Sequence, residues 1–186
     1  MRARSVLLVV LSVGLAASSW IALAGGAGAA TEAKKKKLKC SQGEEAIAEI
    51  EPLYDINSNI QNSFEERVGV VQFGNLKVVQ DQVKAVDANN PVPDVRAEPQ
   101  SNITFVDKVS ATGDLVITFG GGESRLDQGT QFFMCVGKNQ NGTKKGAWRI
   151  TLYSICNLYQ LNPCSDSLVN KALNSLTPGL LELANQ

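Results

Sequence analysis

Four runs of strand-forming residues, separated by breaks rich in glycine or asparagine, dominate the second half of the chain. Val, Ile, Thr, Phe and Tyr are their main residues, and the runs cover 103–109, 114–119, 130–136 and 147–157. The breaks between them are an Ala-Thr-Gly, a Gly-Gly-Gly and an Asn-Gln-Asn-Gly. This alternation predicts an antiparallel β-meander in which the three consecutive glycines form a flexible hairpin link.

The polarity of neighbouring positions predicts which faces of the strands are buried. Residues 132–136 are continuously apolar, which is typical of a strand covered on both faces. In the last run Trp148, Ile150 and Leu152 share one face, and we expect this face to pack against helices. Arg149 lies on the opposite face, where we expect truncation of its side chain to cost little stability.

A helix is predicted at the start of the folded part of the chain, because apolar residues recur there at helical intervals. Ser41 stands three residues before Glu44, which is the spacing of a capping box. Pro52 and the polar cluster 55–62 then break the pattern. The predicted helix therefore begins after Ser41 and is interrupted near Pro52.

Three further segments have helical spacing. A second short helix or turn starts near Phe64, and a third candidate covers 76–86 before a linker that reaches residue 99. After the strands, Ser165 or Asp166 is suited to cap a last helix, which Pro178 interrupts. We interpret these apolar stripes as ordinary core faces and predict no cofactor. The glycine run 120–122 lacks the sequence context of a phosphate-binding loop.

The first 29 residues differ in character from the rest and predict a signal peptide. Arg2 and Arg4 form a short basic region, residues 5–23 are apolar or small, and Ala-Gly-Ala at 27–29 fits a signal-peptidase site. The alternative is an uncleaved membrane anchor, since the apolar stretch approaches the length needed to span a bilayer. We therefore expect a secreted or cell-envelope protein outside the cytoplasm.

Length and charge predict one domain and argue against nucleic acid as a partner. The chain has 186 residues with 18 basic and 18 acidic side chains, so its formal net charge is zero. We divide it into a signal peptide at 1–29, a basic flexible arm at 30–42 and a single domain at 43–186. A nearly neutral chain lacks the basic surface that nucleic acid requires.

The arm contains the one strong local excess of charge, a run made of Lys34, Lys35, Lys36, Lys37 and Lys39. A run of this kind is typical of a solvated, disordered tail. The alternative is a weak electrostatic tether to an anionic membrane or cell-wall surface, since lysines near such a surface are attracted within a Debye length.

The chain has four cysteines, Cys40, Cys135, Cys156 and Cys164. An even number in an exported chain predicts two disulfides, for which three pairings exist. One hypothesis joins Cys156 to Cys164 across a short loop and leaves Cys40 to attach the arm to Cys135 on the sheet. We expect no metal site, because the chain has no histidine and no Cys-x-x-Cys pair.

Three segments resemble the nuclear-transport-factor-2-like superfamily, and within it the mycobacterial low-molecular-weight secreted antigen family and its actinobacterial relatives. They are Phe-Glu-Glu-Arg-Val-Gly-Val-Val-Gln-Phe-Gly-Asn at 64–75, residues 102–119, and Gly-Ala-Trp-Arg-Ile at 146–150. The resemblance implies an α+β roll, with N-terminal helices packed on a curved, cone-shaped antiparallel sheet and a C-terminal helix. Most functions in this group are unassigned, and no catalytic residue is transferred by the resemblance.

The function expected from the residues is a non-catalytic binding or interaction domain, whose partner is a small apolar ligand or an envelope protein. The alternative is a small isomerase or cyclase acting on an apolar ligand inside the cone. Without histidine, neither Ser-His-Asp nor Cys-His catalysis is available. Enzymes of this roll use a buried Asp with a Tyr or Asn partner, and the candidates are Asp107, Asp114 and Asp127 with Tyr153 or Tyr159. An enclosed cavity with a buried carboxylate would favour the enzyme.

Two sequons are present, Asn102-Ile103-Thr104 and Asn141-Gly142-Thr143. Both are glycan acceptors in a eukaryotic secretory pathway. In a bacterium they indicate only the start of a strand and a turn. Asn-Gly is the commonest two-residue hairpin signal, so we predict a tight hairpin turn at Asn141-Gly142.

Overall fold

A computed structural model describes residues 38–89, 96–99, 102–119, 124–158 and 164–186. The predicted signal peptide, Lys34 to Lys37, the glycine run 120–122 and Tyr159 lie outside the described residues. The helices are α1 (Gly43–Ser58), α2 (Phe64–Gly69), α3 (Lys77–Asn89), α4 (Leu152–Leu158), α5 (Asp166–Ser175) and α6 (Pro178–Ala184). The strands are β1 (Arg96–Pro99), β2 (Thr104–Asp107), β3 (Ser110–Phe119), β4 (Ser124–Val136) and β5 (Ala147–Ile150).

The strands form one antiparallel sheet in which β4 lies between β3 and β5. Phe133 of β4 is opposite Ala111 of β3 on one side and Ile150 of β5 on the other. β1 and β2 both pair with β3, β1 with its second half and β2 with its first. The prediction of an α+β fold with an antiparallel sheet is therefore confirmed.

Side chains of β4 enter two apolar clusters on opposite faces of the sheet. Phe133 and Cys135 belong to the main core with residues of α1, β3, β5, α4 and α5. Phe132, Met134 and Val136 form a second cluster with Leu180 of α6. This alternation confirms that the continuous apolar run is a strand covered on both faces.

The Ala-Thr-Gly break predicted at 111–113 is wrong, because β3 runs without interruption from Ser110 to Phe119. Gly113 is needed there for space rather than for a turn. A Cβ atom at Gly113 would lie 2.6 Å from the hydroxyl oxygen of Tyr54, which reaches across from α1. Glycine inside a strand commonly marks such a close approach. β1 was likewise missed, since residues 96–99 were assigned to a linker.

The predicted strand at 147–157 ends at Ile150, and residues 152–158 form α4 instead. The Thr151 hydroxyl accepts a hydrogen bond from the Ser154 N–H, as an N-cap does. The Ser154 hydroxyl accepts from the Phe132 N–H at 2.7 Å and donates to the Phe132 carbonyl at 3.3 Å. The Ser154 hydroxyl thus replaces the backbone acceptor that a longer β5 would have supplied to the Phe132 N–H, while the Phe132 carbonyl still accepts from the Thr151 N–H at 2.9 Å.

Two predictions for α1 are wrong, the capping box at Ser41 and the interruption of the helix near Pro52. Pro52 lies inside α1, which continues to Ser58, and the N-cap residue is Gln42 without a side-chain capping bond. The Ser41 hydroxyl instead accepts a hydrogen bond from the indole N–H of Trp148. The described capping box is in α2, where the Ser63 and Glu66 side chains each bond the other residue's backbone N–H.

The C-terminal segment contains two helices rather than one interrupted helix. Ser165, one of the two predicted caps, is the N-cap residue of α5, but its side chain makes no capping hydrogen bond. The Thr177 hydroxyl accepts from the Leu180 N–H at the start of α6, and Pro178 occupies the first turn of this helix. Proline is favourable at that position, because the first-turn N–H groups have no helical partner.

Arg67 joins three helices through its guanidinium group. It is 6% exposed, its Nε donates to the carbonyl of Asn57 at the end of α1, and its two terminal nitrogens donate to the Asp87 carboxylate in α3. A fork of two charge-assisted bonds is the strongest arrangement for such a pair.

Replacing the Arg67 guanidinium should therefore destabilise the helical layer. We expect Arg67→Met to lower the free energy of unfolding by about 2 kcal/mol, below the range for fully buried pairs because Asp87 keeps contact with solvent. Urea denaturation measures this loss. Lys77→Met, which breaks the exposed Lys77–Asp81 pair, is the control and should cost less than about 1 kcal/mol. Equal losses would contradict the role of Arg67.

Candidate functional site

A small cavity lies between α1 and the sheet. Its described lining consists of Tyr54, Asn57 and Ser58 from α1 and of Leu115, Gln131, Phe133 and Ile150 from the strands. The space open to the centre of a water molecule is ≈ 10 Å³, which corresponds to about one water molecule. Polar and apolar side chains both line this cavity, and its size excludes any but a very small guest.

The Tyr54 hydroxyl is the most unusual polar group of this cavity. Tyr54 is 1% exposed, its ring meets Phe133 edge to face at 5.0 Å, and its hydroxyl has no hydrogen-bond partner among the described residues. Burial raises the pKa of this phenol well above its usual range, and the Asp114 carboxylate raises it further. Tyr54 is therefore a neutral donor at physiological pH.

This perturbation predicts how stability depends on alkaline pH. Below the ordinary pKa of about 10 the phenol is neutral in both folded and unfolded chains, and the contribution of Tyr54 is fully present. Above that pH the unfolded chain loses the proton first, so stability falls as pH rises toward the folded-state pKa. Tyr54→Phe should flatten this loss in urea denaturation measured from pH 8 upward, an expectation that rests on linkage.

Tyr153→Phe provides a matched control. The Tyr153 hydroxyl donates to the carbonyl of Ala184 at 3.2 Å, and its ring stacks on Phe132. Removal of this bond should cost about 1 kcal/mol at pH 7, whereas Tyr54→Phe should leave stability unchanged or raise it by up to about 1 kcal/mol. A larger loss at pH 7 for Tyr54→Phe than for Tyr153→Phe would contradict the absence of a partner for Tyr54.

The candidate acid–base residues do not meet in the cavity. Asp107 is exposed and accepts from the Val109 N–H in the turn between β2 and β3. Asp114 is half-buried and accepts from the side chains of Asn102 and Thr130. The side chain of Asp127 and the whole of Tyr159 lie outside the described residues, and Tyr153 faces α6. The described hydrogen bonds of Asp107, Asp114 and Tyr153 therefore go to other partners and do not pair either aspartate with Tyr153.

The tyrosine that faces the cavity was missed in the sequence, although a signal was present. Ala46, Ile50 and Tyr54 follow one another at intervals of four residues on one face of α1, and all three are buried. Positions four apart lie on one side of a helix. Once Pro52 is placed inside α1, the buried stripe extends to Tyr54.

The disulfides join Cys40 to Cys135 and Cys156 to Cys164. This is the pairing of our hypothesis, and the described chain contains no free cysteine. Two disulfides are compatible with a protein outside the cytoplasm. The first attaches the segment before α1 to the central strand β4, across 95 residues of sequence.

The last residues of the predicted flexible arm pack on the fold. The Leu38 side chain contacts Gly137, where an added Cβ atom would lie 3.1 Å from its Cδ2 atom. The Gln42 side chain donates to the Lys108 carbonyl at 2.8 Å, and Ser41 accepts from Trp148. The expectation of a flexible arm therefore does not extend to residues 38–42.

The Asn141 side chain bonds carbonyl groups at the end of α2, and Asn141 does not belong to a two-residue hairpin turn. The β4–β5 connection covers residues 137–146 and includes a 3₁₀ helix at Lys138–Gln140. Asn141 has a left-handed backbone with φ of 68°, and its side-chain nitrogen donates to the carbonyls of Val68, Gly69 and Val71. A glycan on this nitrogen would displace those bonds.

Arg149 also differs from its prediction. Its side chain is half-buried and donates to the carbonyls of Asn141 and Trp148, at 3.0 and 2.6 Å. Burial lowers the pKa of Arg149, and Glu49 partly opposes this shift. Truncation would remove two hydrogen bonds, so the expected cost is larger than the sequence pattern suggested.

Other kinds of site find no support in the described residues. No described helix combines the length and apolar character needed to cross a membrane. Within the same part of the chain, no three His, Cys, Asp or Glu side chains gather closely enough to hold a metal ion. Comparisons with protein-family models, with curated proteins and with solved structures found no match to this chain.

Proposed function

We propose that the protein is a secreted or cell-envelope domain that binds a partner on its outer surface and has no catalytic activity. The observation that carries this proposal is the small cavity beneath α1, with its space for about one water molecule. Pockets for small organic ligands generally have volumes of about 300–1,000 Å³. Recognition then falls to exposed residues.

Packing of the inner sheet face supports the same function. Trp148, Tyr54 and Phe133 are among the largest fully buried side chains, and all three belong to the main core. A roll-shaped enzyme would need open space between its helices and its sheet, so the filling of this core by large side chains supports a non-catalytic function. No carboxylate is among the described lining residues of the cavity, so the acid–base group of an isomerase is missing from that set.

Our proposal for the fold family is a nuclear-transport-factor-2-like roll resembling the mycobacterial secreted antigens. Helices precede the sheet, and the consecutive strands β2 to β5 pair in order, which supports it. One feature is additional to a half-open cone. The second sheet face is covered by α6, where Leu180 contacts the cluster of Phe132, Met134 and Val136.

Ligand titration by NMR tests the binding function against the enzyme. Exported protein, with its N-terminus defined by mass spectrometry, is titrated with a steroid enone and with a polycyclic ketone. We expect no saturable shift of the amides of Leu115, Gln131 and Ile150 and no turnover. Saturable shifts at these amides together with turnover that Tyr54→Phe abolishes would favour the isomerase or cyclase and overturn the proposal.

A further inference from the structure

Lysines and acidic residues are segregated in this nearly neutral chain. Residues 34–43 contain five lysines and no acidic residue, and residues 137–146 contain three lysines and no acidic residue. Elsewhere in 38–186 acidic residues outnumber basic ones. The two lysine-rich segments are about a hundred residues apart in sequence, so only the fold decides whether they form one surface.

The fold brings these segments together through the Cys40–Cys135 disulfide. Cys135 immediately precedes the β4–β5 connection, and Leu38 packs on Gly137 within it. At the other end of the connection, a Cβ atom at Gly146 would lie 3.0 Å from the carbonyl oxygen of Lys39. The backbone at 38–40 therefore runs between residues 137 and 146.

Four exposed lysines are placed together in this way: Lys39, Lys138, Lys144 and Lys145. We call them the basic pole. None of the four forms an ion pair among the described residues, where the ion pairs are Arg67–Asp87 and Lys77–Asp81. The first acidic residues after the arm, Glu44 and Glu45, are exposed in the first turn of α1.

We propose that the basic pole docks on the surface of an anionic phospholipid bilayer. Several unpaired lysines on one side of a protein are attracted to anionic headgroups. Leu38 favours lipid over a soluble polyanion, because this large apolar side chain is 42% exposed in the middle of the lysines. An exposed apolar residue flanked by lysines is suited to the boundary between headgroups and acyl chains.

This inference rests on the proposed function, since it names the partner of a surface-binding domain. A tether formed by the lysine run alone would not need Lys138, Lys144 and Lys145 of the loop, whereas the basic pole requires them. The disulfide is also required, since it holds Leu38 and Lys39 against that loop. These two requirements make the docking surface testable apart from the run itself.

Vesicle sedimentation tests the role of the loop. The exported protein is mixed with vesicles of phosphatidylglycerol and phosphatidylcholine, and with pure phosphatidylcholine as a control, at about 0.05 M salt, where screening is weak. The variant is Lys138→Gln, Lys144→Gln, Lys145→Gln. We expect its partition coefficient on anionic vesicles to fall by about 10-fold to 100-fold, from roughly fivefold for each lysine near the surface. Retention should also fall steeply with added salt.

A charge-matched variant separates the basic pole from net charge. Lys77→Gln, Lys84→Gln, Lys171→Gln removes the same charge from α3 and α5, where these lysines contact Asp81, Phe64 and Phe73. We expect its partition coefficient to change by less than about threefold, because these lysines lie outside the basic pole. Equal losses for both triple variants, or no loss for the loop variant, would overturn the docking surface.

Leu38→Ser distinguishes lipid from a soluble anionic polymer. It should weaken retention on anionic vesicles by about threefold to tenfold and leave retention on immobilised polyphosphate unchanged, because only a bilayer accepts an apolar side chain. Unchanged vesicle retention of Leu38→Ser, with equal or tighter binding to polyphosphate, would overturn the lipid assignment. If the protein does not bind anionic vesicles, the lipid partner is refuted and the non-catalytic function is not. Turnover of an apolar substrate would refute the non-catalytic function and not the lipid partner.

Discussion

Replacing Trp148 with alanine should lower the free energy of unfolding by about 3–5 kcal/mol, the usual cost of truncating a buried aromatic residue. Trp148 is 1% exposed, its ring meets Phe105 edge to face at 5.8 Å, and its indole N–H donates to the Ser41 hydroxyl at 3.0 Å. The substitution removes a large part of the contact between β5 and the segment before α1. The domain should therefore unfold or become strongly destabilised.

Fluorescence and chemical denaturation measure this effect directly. The chain has two tryptophans, and the other, Trp20, lies in the predicted signal peptide. Native emission of the exported protein should be blue-shifted and should move to the red on unfolding, because the indole is buried. Emission already at the solvent-exposed position in the native state would contradict the register of β5.

Two variants calibrate the loss at Trp148. Val78 is 47% exposed on α3, and Val78→Ala should change stability by less than about 0.5 kcal/mol. Arg149→Ala should cost about 1–2 kcal/mol, since the carbonyls of Asn141 and Trp148 lose their donor. The order Trp148→Ala, then Arg149→Ala, then Val78→Ala is the expected result, and a cost at Val78 similar to that at Trp148 would contradict it.

Removing the Cys40–Cys135 disulfide is the second change with a large expected effect. It closes a loop with a sequence separation of 95, whereas Cys156 and Cys164 are 8 residues apart. Loop-closure entropy gives about 4.7 kcal/mol for the longer loop and about 2.5 kcal/mol for the shorter one. Cys40→Ala with Cys135→Ala should therefore destabilise the domain more than Cys156→Ala with Cys164→Ala.

Structure reinforces this difference between the two disulfides. Loss of the first bond frees the segment that carries Ser41, and the Trp148 indole then loses its acceptor. Denaturation without reductant measures both double variants, and the tryptophan emission of Cys40→Ala with Cys135→Ala should shift toward red in the native state. A larger loss for the shorter loop would refute the entropic ranking. An unchanged emission would show that the segment stays in place without the disulfide.

Local patterns in the sequence determined much of the fold. The apolar run at 132–136 predicted a strand buried on both faces, because its residues alternate between the two clusters of the core. Helical spacing located α3 within a few residues of Lys77–Asn89. The buried position of Trp148 followed from its alternation with Arg149. Each of these inferences depends on a period of two or about four residues, which a sequence displays directly.

Tertiary contacts decided where the strands and helices begin, end or continue. Glycine at 113 resembles a turn residue, yet it is a strand residue beneath the Tyr54 hydroxyl. Ser41 has the spacing of a helix cap, but its hydroxyl bonds an indole 107 residues away. β5 ends at Ile150, and the Ser154 hydroxyl takes the Phe132 N–H that the next strand residue would have bonded. In each case the competing partner is distant in sequence, so local propensity gives no sign of it.

The sequence by itself determined the residue types, namely four cysteines for two disulfides, a lysine run behind an apolar leader, and no histidine. Only the tertiary structure decided where they meet. It placed Lys138, Lys144 and Lys145 beside Lys39, and it directed Tyr54 rather than an aspartate into the cavity. The physical reason is that charge and apolar periodicity are properties of short segments, whereas a surface or a cavity forms from residues that the folded chain brings together over a hundred positions.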